Sequence, residues 1–172
     1  KHNGTLDKYI GDCVMAFWGA PTPNEKHAAA CVRAAVEIQR AIQAINDERA
    51  LENARRDEEN PRRIAAGETA LPVLRQLSLG TGINTGQVIV GLMGSDAHIV
   101  NYTVFGREVN LASRLESQSG WGRIFIGEAT FLDLRRDDPD LASTCIELDP
   151  ISVKGFRSAV KVYEVPWKSA PA

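Results

Sequence analysis

One stretch of the chain, residues 102–115, limits the possible fold more than any other. Its sequence, YTVFGREVNLASRL, predicts a short strand, a break at Gly106 and a helix that begins near Arg107. Asn110 and Arg114 are four residues apart in that helix, so their side chains lie on the same face, one turn apart. An amide beside a guanidinium group can orient a hydroxyl and hold phosphate oxygens, because the arginine fork matches phosphate geometry.

The N-terminal region predicts a β-hairpin. Residues 5–10 alternate as a strand does, residues 13–18 form an apolar run, and Gly11-Asp12 between them fits a two-residue turn with glycine first. Strict alternation places Asp7 and Lys8 on opposite faces of the first strand. The aspartate in such a turn commonly serves only the turn itself.

A long helix is expected after this hairpin. Residues 22–25, TPNE, resemble a capping box with proline at the first helical position. An apolar stripe from Val32 to Ile45 follows at helical spacing and should pack on a sheet. Over residues 46–75 the pattern fades into charge, with Pro61 in its midst, and no internal repeat is visible. This segment is interpreted as a helix extension followed by a solvated loop, with a charged regulatory insert as the alternative.

The second half of the chain predicts further strands. Residues 77–83 and 87–92 suggest a second hairpin around the turn at 84–86, followed by a polar arm over 95–100. The glycines in this region are interpreted as turns and close backbone approaches, since no phosphate-loop pattern occurs. A strand over 123–127, a helix over 128–134 and two strands within 146–165 complete the chain.

This order of elements predicts the fold class. It indicates an α+β fold with a mostly antiparallel sheet and helices on one face, built on a ferredoxin-like core with additions. At 172 residues the chain suits a single domain. The net charge of −2 gives no electrostatic case for nucleic acid.

The composition also bears on the compartment. No apolar run is long enough to span a membrane, so we expect no membrane contact by this segment, and no signal peptide is visible. The three cysteines, at positions 13, 31 and 145, show no metal or disulfide spacing and are expected to be reduced thiols. The sequence therefore favours a cytoplasmic location.

Three motifs occur in order along the chain: KYIGD at residues 8–12, the stretch 102–115, and VKG at residues 153–155. Together they resemble the catalytic domain of class III nucleotidyl cyclases, over nearly the whole of residues 1–172. The resemblance implies the cyclase variant of the ferredoxin-like fold. It also implies a bacterial homodimeric adenylyl cyclase, which converts ATP to 3′,5′-cyclic AMP and pyrophosphate.

Two positions in this resemblance concern the nucleobase. Lys8 matches the lysine with which adenylyl cyclases bind adenine, where guanylyl cyclases usually carry glutamate. Thr103 falls on the second base-reading position, where many adenylyl cyclases have aspartate and a bacterial subset has threonine. A hydroxyl can donate or accept a hydrogen bond, so Thr103 alone does not determine the base. The pair favours ATP, and a guanylyl cyclase is the alternative.

Four further positions match catalytic residues of the family. Asp12 matches one of two aspartates that bind a pair of divalent cations, Mg²⁺ or Mn²⁺. Asn110 matches the asparagine that orients the ribose, Arg114 the arginine that stabilises the transition state, and Lys154 the lysine that contacts the β- and γ-phosphates. In the family the metal aspartates come from one protomer and the other residues from its partner, which implies a homodimer.

The chain departs from the family pattern at its beginning. In the family an opening strand with the first metal aspartate, and two helices, precede the hairpin, whereas this chain begins just before the hairpin. We therefore expect residues 1–172 to be an N-terminally incomplete catalytic domain. The parent chain would carry an upstream sensor or regulatory domain, with or without a membrane anchor. A non-catalytic nucleotide-binding or dimerisation module is the alternative from another functional class.

Overall fold

The computed structural model describes residues 1–94, 100–156 and 158–168. The strands are β1 (Thr5–Ile10), β2 (Cys13–Phe17), β3 (Thr81–Ile83), β4 (Ile89–Met93), β5 (Asn101–Phe105), β6 (Ile124–Gly127), β7 (Ile146–Ile151) and β8 (Val160–Glu164). The helices are α1 (His27–Ala65), α2 (Arg107–Ser119), α3 (Glu128–Asp137) and α4 (Pro139–Thr144). The polar arm expected over 95–100 lies outside the described residues except for Val100.

The predicted N-terminal hairpin is present, with one irregularity. Strands β1 and β2 pair antiparallel, and Gly11 adopts a φ of 64° in the turn, a conformation that glycine adopts without steric cost. The register shifts between Leu6 and Lys8, which pair with Ala16 and Met15. Asp7 is therefore the extra residue of a β-bulge, and the regular alternation expected across Asp7 and Lys8 is wrong.

Helix α1 begins later than the sequence suggested. Its N-cap is Lys26, whose side chain makes no capping hydrogen bond, so the predicted capping box over 22–25 is wrong. The side chain of Asn24 instead accepts a hydrogen bond from the Lys26 amide at 3.0 Å. The Asn24 carbonyl accepts another from the amide of His27 at 3.1 Å, so the chain makes one turn before the helix starts.

The charged segment continues α1 to Ala65, giving a helix of 39 residues that contains Pro61. Glutamates and arginines three or four positions apart pair along it, which supports an exposed helix. Hydrogen bonds from Arg55 and Arg56 lower the pKa of Glu52 to about 2. Among the described residues, no helix combines the length and apolarity needed to cross a membrane.

After α1 the chain runs back along the helix and is held there by an asparagine ladder, which consists of Asn46, Asn53 and Asn60. Each asparagine side chain makes two hydrogen bonds to the backbone of one leucine: it donates to the leucine carbonyl and accepts from the leucine N–H. The leucines are Leu77, Leu74 and Leu71 respectively. Arginines three positions after each asparagine donate to further carbonyls; the pairs are Arg49 with Arg75, Arg56 with Pro72 and Arg63 with Thr69. The charged segment thus contains a seven-residue repeat that the sequence reading missed.

The main sheet has four strands in the order β3-β6-β8-β7. Strand β3 pairs parallel with β6, while the β6–β8 and β7–β8 pairs are antiparallel. Strand β4 pairs antiparallel with β5 in a separate two-stranded sheet. The predicted hairpin between residues 77–83 and 87–92 is therefore wrong, because both strands find other partners. The predicted α+β fold with mostly antiparallel pairing is confirmed.

Two apolar cores lie on opposite faces of this sheet. Ile124 and Ile126 of β6 join a core with α1, α3 and α4 on one face, and α2 packs on the other face, so the expected placement of the helices on one face is wrong. Phe125, which points to the other face, joins a second core with Leu111 and Leu115 of α2. Close packing of α2 depends on Gly82, because a Cβ at that position would overlap backbone atoms of Ala112 and Glu116. The interpretation of this glycine as a close backbone approach is confirmed.

Candidate functional site

Three side chains from two distant strands meet in one cluster, formed by Asp7, Lys8 and Thr103. The Lys8 ammonium donates to Thr103 Oγ1 at 3.0 Å, and the Thr103 hydroxyl donates to Asp7 Oδ2 at 2.7 Å. Lys8 Nζ also lies 3.5 Å from Asp7 Oδ1; the Asp7 side chain is 1% exposed and that of Lys8 is 44% exposed. The cluster thus has a buried carboxylate beneath a half-exposed cation and a buried hydroxyl.

Helix α2 presents the two predicted catalytic residues to solvent. Asn110 and Arg114 are exposed, while Leu111 and Leu115 are buried against the sheet. The side chains of Asn110 and Arg114 make no hydrogen bond or ion pair with the residues that the structure describes. Because α2 follows β5 after the break at Gly106, the same segment supplies Thr103 and both of these residues.

Lys154 lies in a turn that packs beside α2. Val153, the residue before it, is buried in the core that contains Leu111 and Leu115. Gly155 has a φ of 91°, which allows the tight turn, and the Arg107 guanidinium lies 4.1 Å from the centre of the Phe156 ring. These contacts leave Lys154 exposed on the side of the domain where α2 begins.

Asp12 is placed elsewhere. It is exposed at the tip of the β1–β2 hairpin. The pKa of the neighbouring Cys13 thiol is raised by partial burial of that thiol and by the negative charges of Glu116 and Asp12. Within the described ranges no three His, Cys, Asp or Glu side chains form a metal cluster.

The sequence reading missed Asp7 as a member of the site. Asp7 directly precedes Lys8, so its proximity to the motif was visible in the sequence. Regular alternation would have placed it on the opposite face of β1, and only the bulge brings both residues to Thr103.

Comparison with known proteins identifies the family. Residues 4–166 match the family described as "Adenylate and Guanylate cyclase catalytic domain". The chain therefore belongs to the adenylate and guanylate cyclase catalytic domain family.

Two curated relatives cover nearly all of this chain. An adenylate cyclase of Anabaena cylindrica is 33% identical over 165 residues, which is 94% of this chain and 28% of the relative. Adenylate cyclase 1 of Rhizobium meliloti is 27% identical over 168 residues, which is 95% of this chain and 21% of that protein. The chain thus spans less than a third of the length of these relatives.

Solved structures agree with this assignment. The adenylyl cyclase CyaB from P. aeruginosa is 34% identical, with a TM-score of 0.74 over 98% of this chain and 74% of that one. The guanylyl cyclase Cya2 is 31% identical, with a TM-score of 0.69 over 95% of this chain and 70% of that one. Because both base specificities occur among the structural neighbours, the fold alone does not determine the substrate.

Proposed function

We propose that this chain is the catalytic domain of an adenylyl cyclase that converts ATP to 3′,5′-cyclic AMP and pyrophosphate. The contact between Lys8 Nζ and Thr103 Oγ1 at 3.0 Å is the observation that carries the proposal, because it joins the two base-reading positions across 95 residues of sequence. The relatives named adenylate cyclase support the same substrate.

The chemistry of the base supports ATP over GTP. The adenine edge offers the N6 amino group as a donor beside a ring nitrogen that accepts, whereas guanine presents the O6 acceptor in place of that amino group. An ammonium such as Lys8 can only donate, so it suits N1 of adenine, which accepts, and does not suit N1 of guanine, which carries a hydrogen and donates. The guanylyl cyclase alternative would require the Lys8 and Thr103 side chains to bind guanine, whose edge presents a different arrangement of hydrogen-bond donors and acceptors.

The residues on α2 and the Lys154 turn are assigned to the phosphoryl transfer. The ribose 3′-oxygen forms a bond to the α-phosphorus, and the bond from the α-phosphorus to the oxygen that bridges to the β-phosphorus breaks. Pyrophosphate leaves, and the proton of the 3′-hydroxyl passes to water. Asn110 orients the ribose, and Arg114 stabilises the charge that develops on the α-phosphoryl oxygens. Lys154 holds the departing pyrophosphate. All three side chains are exposed, as groups that receive a nucleotide must be.

Catalytic domains of this family depend on metal ions, and Asp12 is the residue proposed to hold them. Its carboxylate is exposed at a tight turn, and oxygen ligands of this kind suit Mg²⁺ or Mn²⁺. Two such ions per site would lower the pKa of the ribose hydroxyl and neutralise charge on the triphosphate. We propose that a second carboxylate completes this metal site and that the parent chain also carries a sensor or regulatory domain. On this view the working protein acts in the cytoplasm, where ATP is available.

We infer from the family resemblance that the site is shared between two protomers. Asp12 and Arg114 lie on separate elements, the tip of the β1–β2 hairpin and α2, and both are exposed. A two-fold homodimer would pair the Asp12 of one protomer with the Arg114 of its partner, twice. Exposed apolar side chains on β1 and β4, such as Ile10, Ile89 and Leu92, supply surface that such an assembly would cover.

A mixing experiment tests both the activity and the shared site. In the longest form of the protein that its gene encodes, Asp12→Ala and Arg114→Ala should each lower cyclic AMP formation from ATP by about 10²-fold or more. Mixing them should restore roughly a quarter of wild-type activity, because about half of the dimers are hybrids and each hybrid has one intact site. Arg136→Ala, which removes an exposed arginine from α3, is the matched control and should retain activity.

The outcomes separate the two parts of the proposal. Wild-type protein that forms no cyclic AMP from ATP with either metal contradicts the enzyme itself. If wild type is active and the subunits demonstrably exchange, yet no activity returns on mixing, then the composite site is wrong and the cyclase assignment stands.

A further inference from the structure

We propose that Asp7 is a positioning residue that sets the direction of the Thr103 hydroxyl and thereby makes Thr103 select adenine over guanine. This inference rests on the proposed function and concerns the base specificity of the same site. It assigns a role to a residue that the bulge in β1 brings beside Lys8.

The hydrogen-bond inventory of the cluster carries the argument. A threonine hydroxyl has one hydrogen to donate and two lone pairs that accept. An aspartate carboxylate only accepts, so the 2.7 Å contact between Thr103 Oγ1 and Asp7 Oδ2 uses the single hydrogen of the hydroxyl. The Lys8 ammonium, which only donates, occupies one lone pair at 3.0 Å. The capacity that Thr103 retains for a ligand is therefore a lone pair, and the hydroxyl acts as an acceptor.

This restriction distinguishes the two purine bases. The N6 amino group of adenine donates a hydrogen bond and suits the remaining lone pair of Thr103. Guanine carries the O6 acceptor at the corresponding position, so two acceptor oxygens would face each other. A threonine without Asp7 could rotate its hydrogen toward O6 and accommodate guanine. Asp7 thus removes the ambiguity that a lone hydroxyl leaves.

The surroundings of Asp7 fit such a role. Its side chain is 1% exposed, and the charge of Lys8 lies 3.5 Å from Oδ1. Oδ1 is buried and has no hydrogen-bond partner among the described residues. Buried polar atoms are normally satisfied, so this carboxylate oxygen needs an explanation, and a role in the cluster supplies one. β-bulges commonly redirect side chains next to active sites, and this bulge turns Asp7 toward the same threonine as Lys8.

The test compares Asp7→Asn with wild type in the longest form of the protein that its gene encodes. The amide of asparagine can donate to Thr103, which frees the hydroxyl to donate to guanine O6. We expect the ATP/GTP ratio of kcat/KM to fall about tenfold, the effect of one hydrogen bond. Most of that change should appear in KM, because the phosphoryl-transfer groups are untouched. Asp7→Ser also removes the carboxylate and should likewise lower the ATP/GTP ratio. It provides a second measurement if the asparagine variant does not fold.

A merely structural role is excluded by two comparisons. Asp138→Asn removes another buried carboxylate, which pairs with Arg33 far from the cluster, and should lower the melting temperature without changing the ATP/GTP ratio. In a Thr103→Val background, which has no hydroxyl to orient, Asp7→Asn should produce no further change in the ratio.

Each result has one meaning. A wild-type protein that prefers ATP, with an Asp7→Asn ratio within twofold of it, overturns the inference and leaves the proposed function intact. An equal fall in the ratio with and without the Thr103 hydroxyl also overturns it. A wild-type protein with no preference for ATP contradicts the proposed function itself.

Discussion

Replacing Asn53 by alanine should release the middle of the segment that returns along α1. The Asn53 amide donates to the Leu74 carbonyl at 2.9 Å and accepts from the Leu74 amide at 2.8 Å. Each such hydrogen bond contributes about 0.5–1.5 kcal/mol net, so the variant loses about 1–3 kcal/mol of local stability. Asn53 is only partly buried and no large cavity forms, so lost packing adds little to this figure.

Hydrogen exchange of the Leu74 amide measures this loss directly. Local opening governs such exchange, and 1–3 kcal/mol corresponds to a roughly 5- to 150-fold faster rate. Gln43→Ala is the matched control, because Gln43 lies on the same helix but bonds only to Asp47, at 2.7 Å. Asn53→Asp should also accelerate exchange, since its second oxygen would face the Leu74 carbonyl.

The same experiment can refute the reasoning. If the Leu74 amide exchanges within twofold of wild type in Asn53→Ala, then the ladder contributes no net stability. If Leu74 and the core of β6 accelerate equally, the segment does not open as a local unit, and the ladder supports the whole domain instead.

Three other predictions follow from the structure. Gly82→Ala should lower the unfolding free energy by about 1–3 kcal/mol or more and abolish activity, because α2 must move away from β3. Gly91→Ala is the control, because a Cβ at Gly91 would meet nothing within 4 Å. Equal melting temperatures of the two variants would contradict the close approach. Burial raises the pKa of Cys31 to about 12 from 9.0, so its contribution to stability is present below pH 9 and declines as pH rises toward 12. Cys31→Ala should therefore flatten the fall in urea midpoint between about pH 8 and about pH 10.5, and parallel curves would exclude this cause. Lys8→Glu with Thr103→Cys should shift kcat/KM from ATP toward GTP, with a penalty for ATP of about 1–3 kcal/mol; an unchanged ratio would show that other residues read the base.

Local chemistry made part of this molecule predictable. The hairpin around Gly11 follows from a glycine turn between two strand patterns, and α2 follows from an apolar face that begins after Gly106. The meeting of Lys8 and Thr103 was expected only through the family resemblance, since nothing in the spacing of two residues 95 positions apart brings β1 to β5.

Other features depend on partners that are distant in sequence. Residues 77–83 have the pattern of a hairpin strand, yet β3 pairs with β6 because α2 crosses over at Gly82. The asparagine ladder was missed because asparagine is a poor residue for a helix interior, and its stabilising partners lie in the returning segment. Asp7 was missed because the sequence does not reveal a bulge, and one extra residue changes which side chains share a face.

The bulge at Asp7 makes the cluster of Asp7, Lys8 and Thr103 sensitive to the length of β1. Deletion of one codon between Leu6 and Lys8 would restore continuous pairing of β1 with β2 while removing the carboxylate beneath Thr103. If Asp7 orients Thr103 as proposed, a single in-frame deletion would change nucleotide preference while leaving Lys8, Thr103 and every residue of α2 unaltered. An alignment gap at this position would therefore mark the loss of the buried carboxylate as well as a change in length.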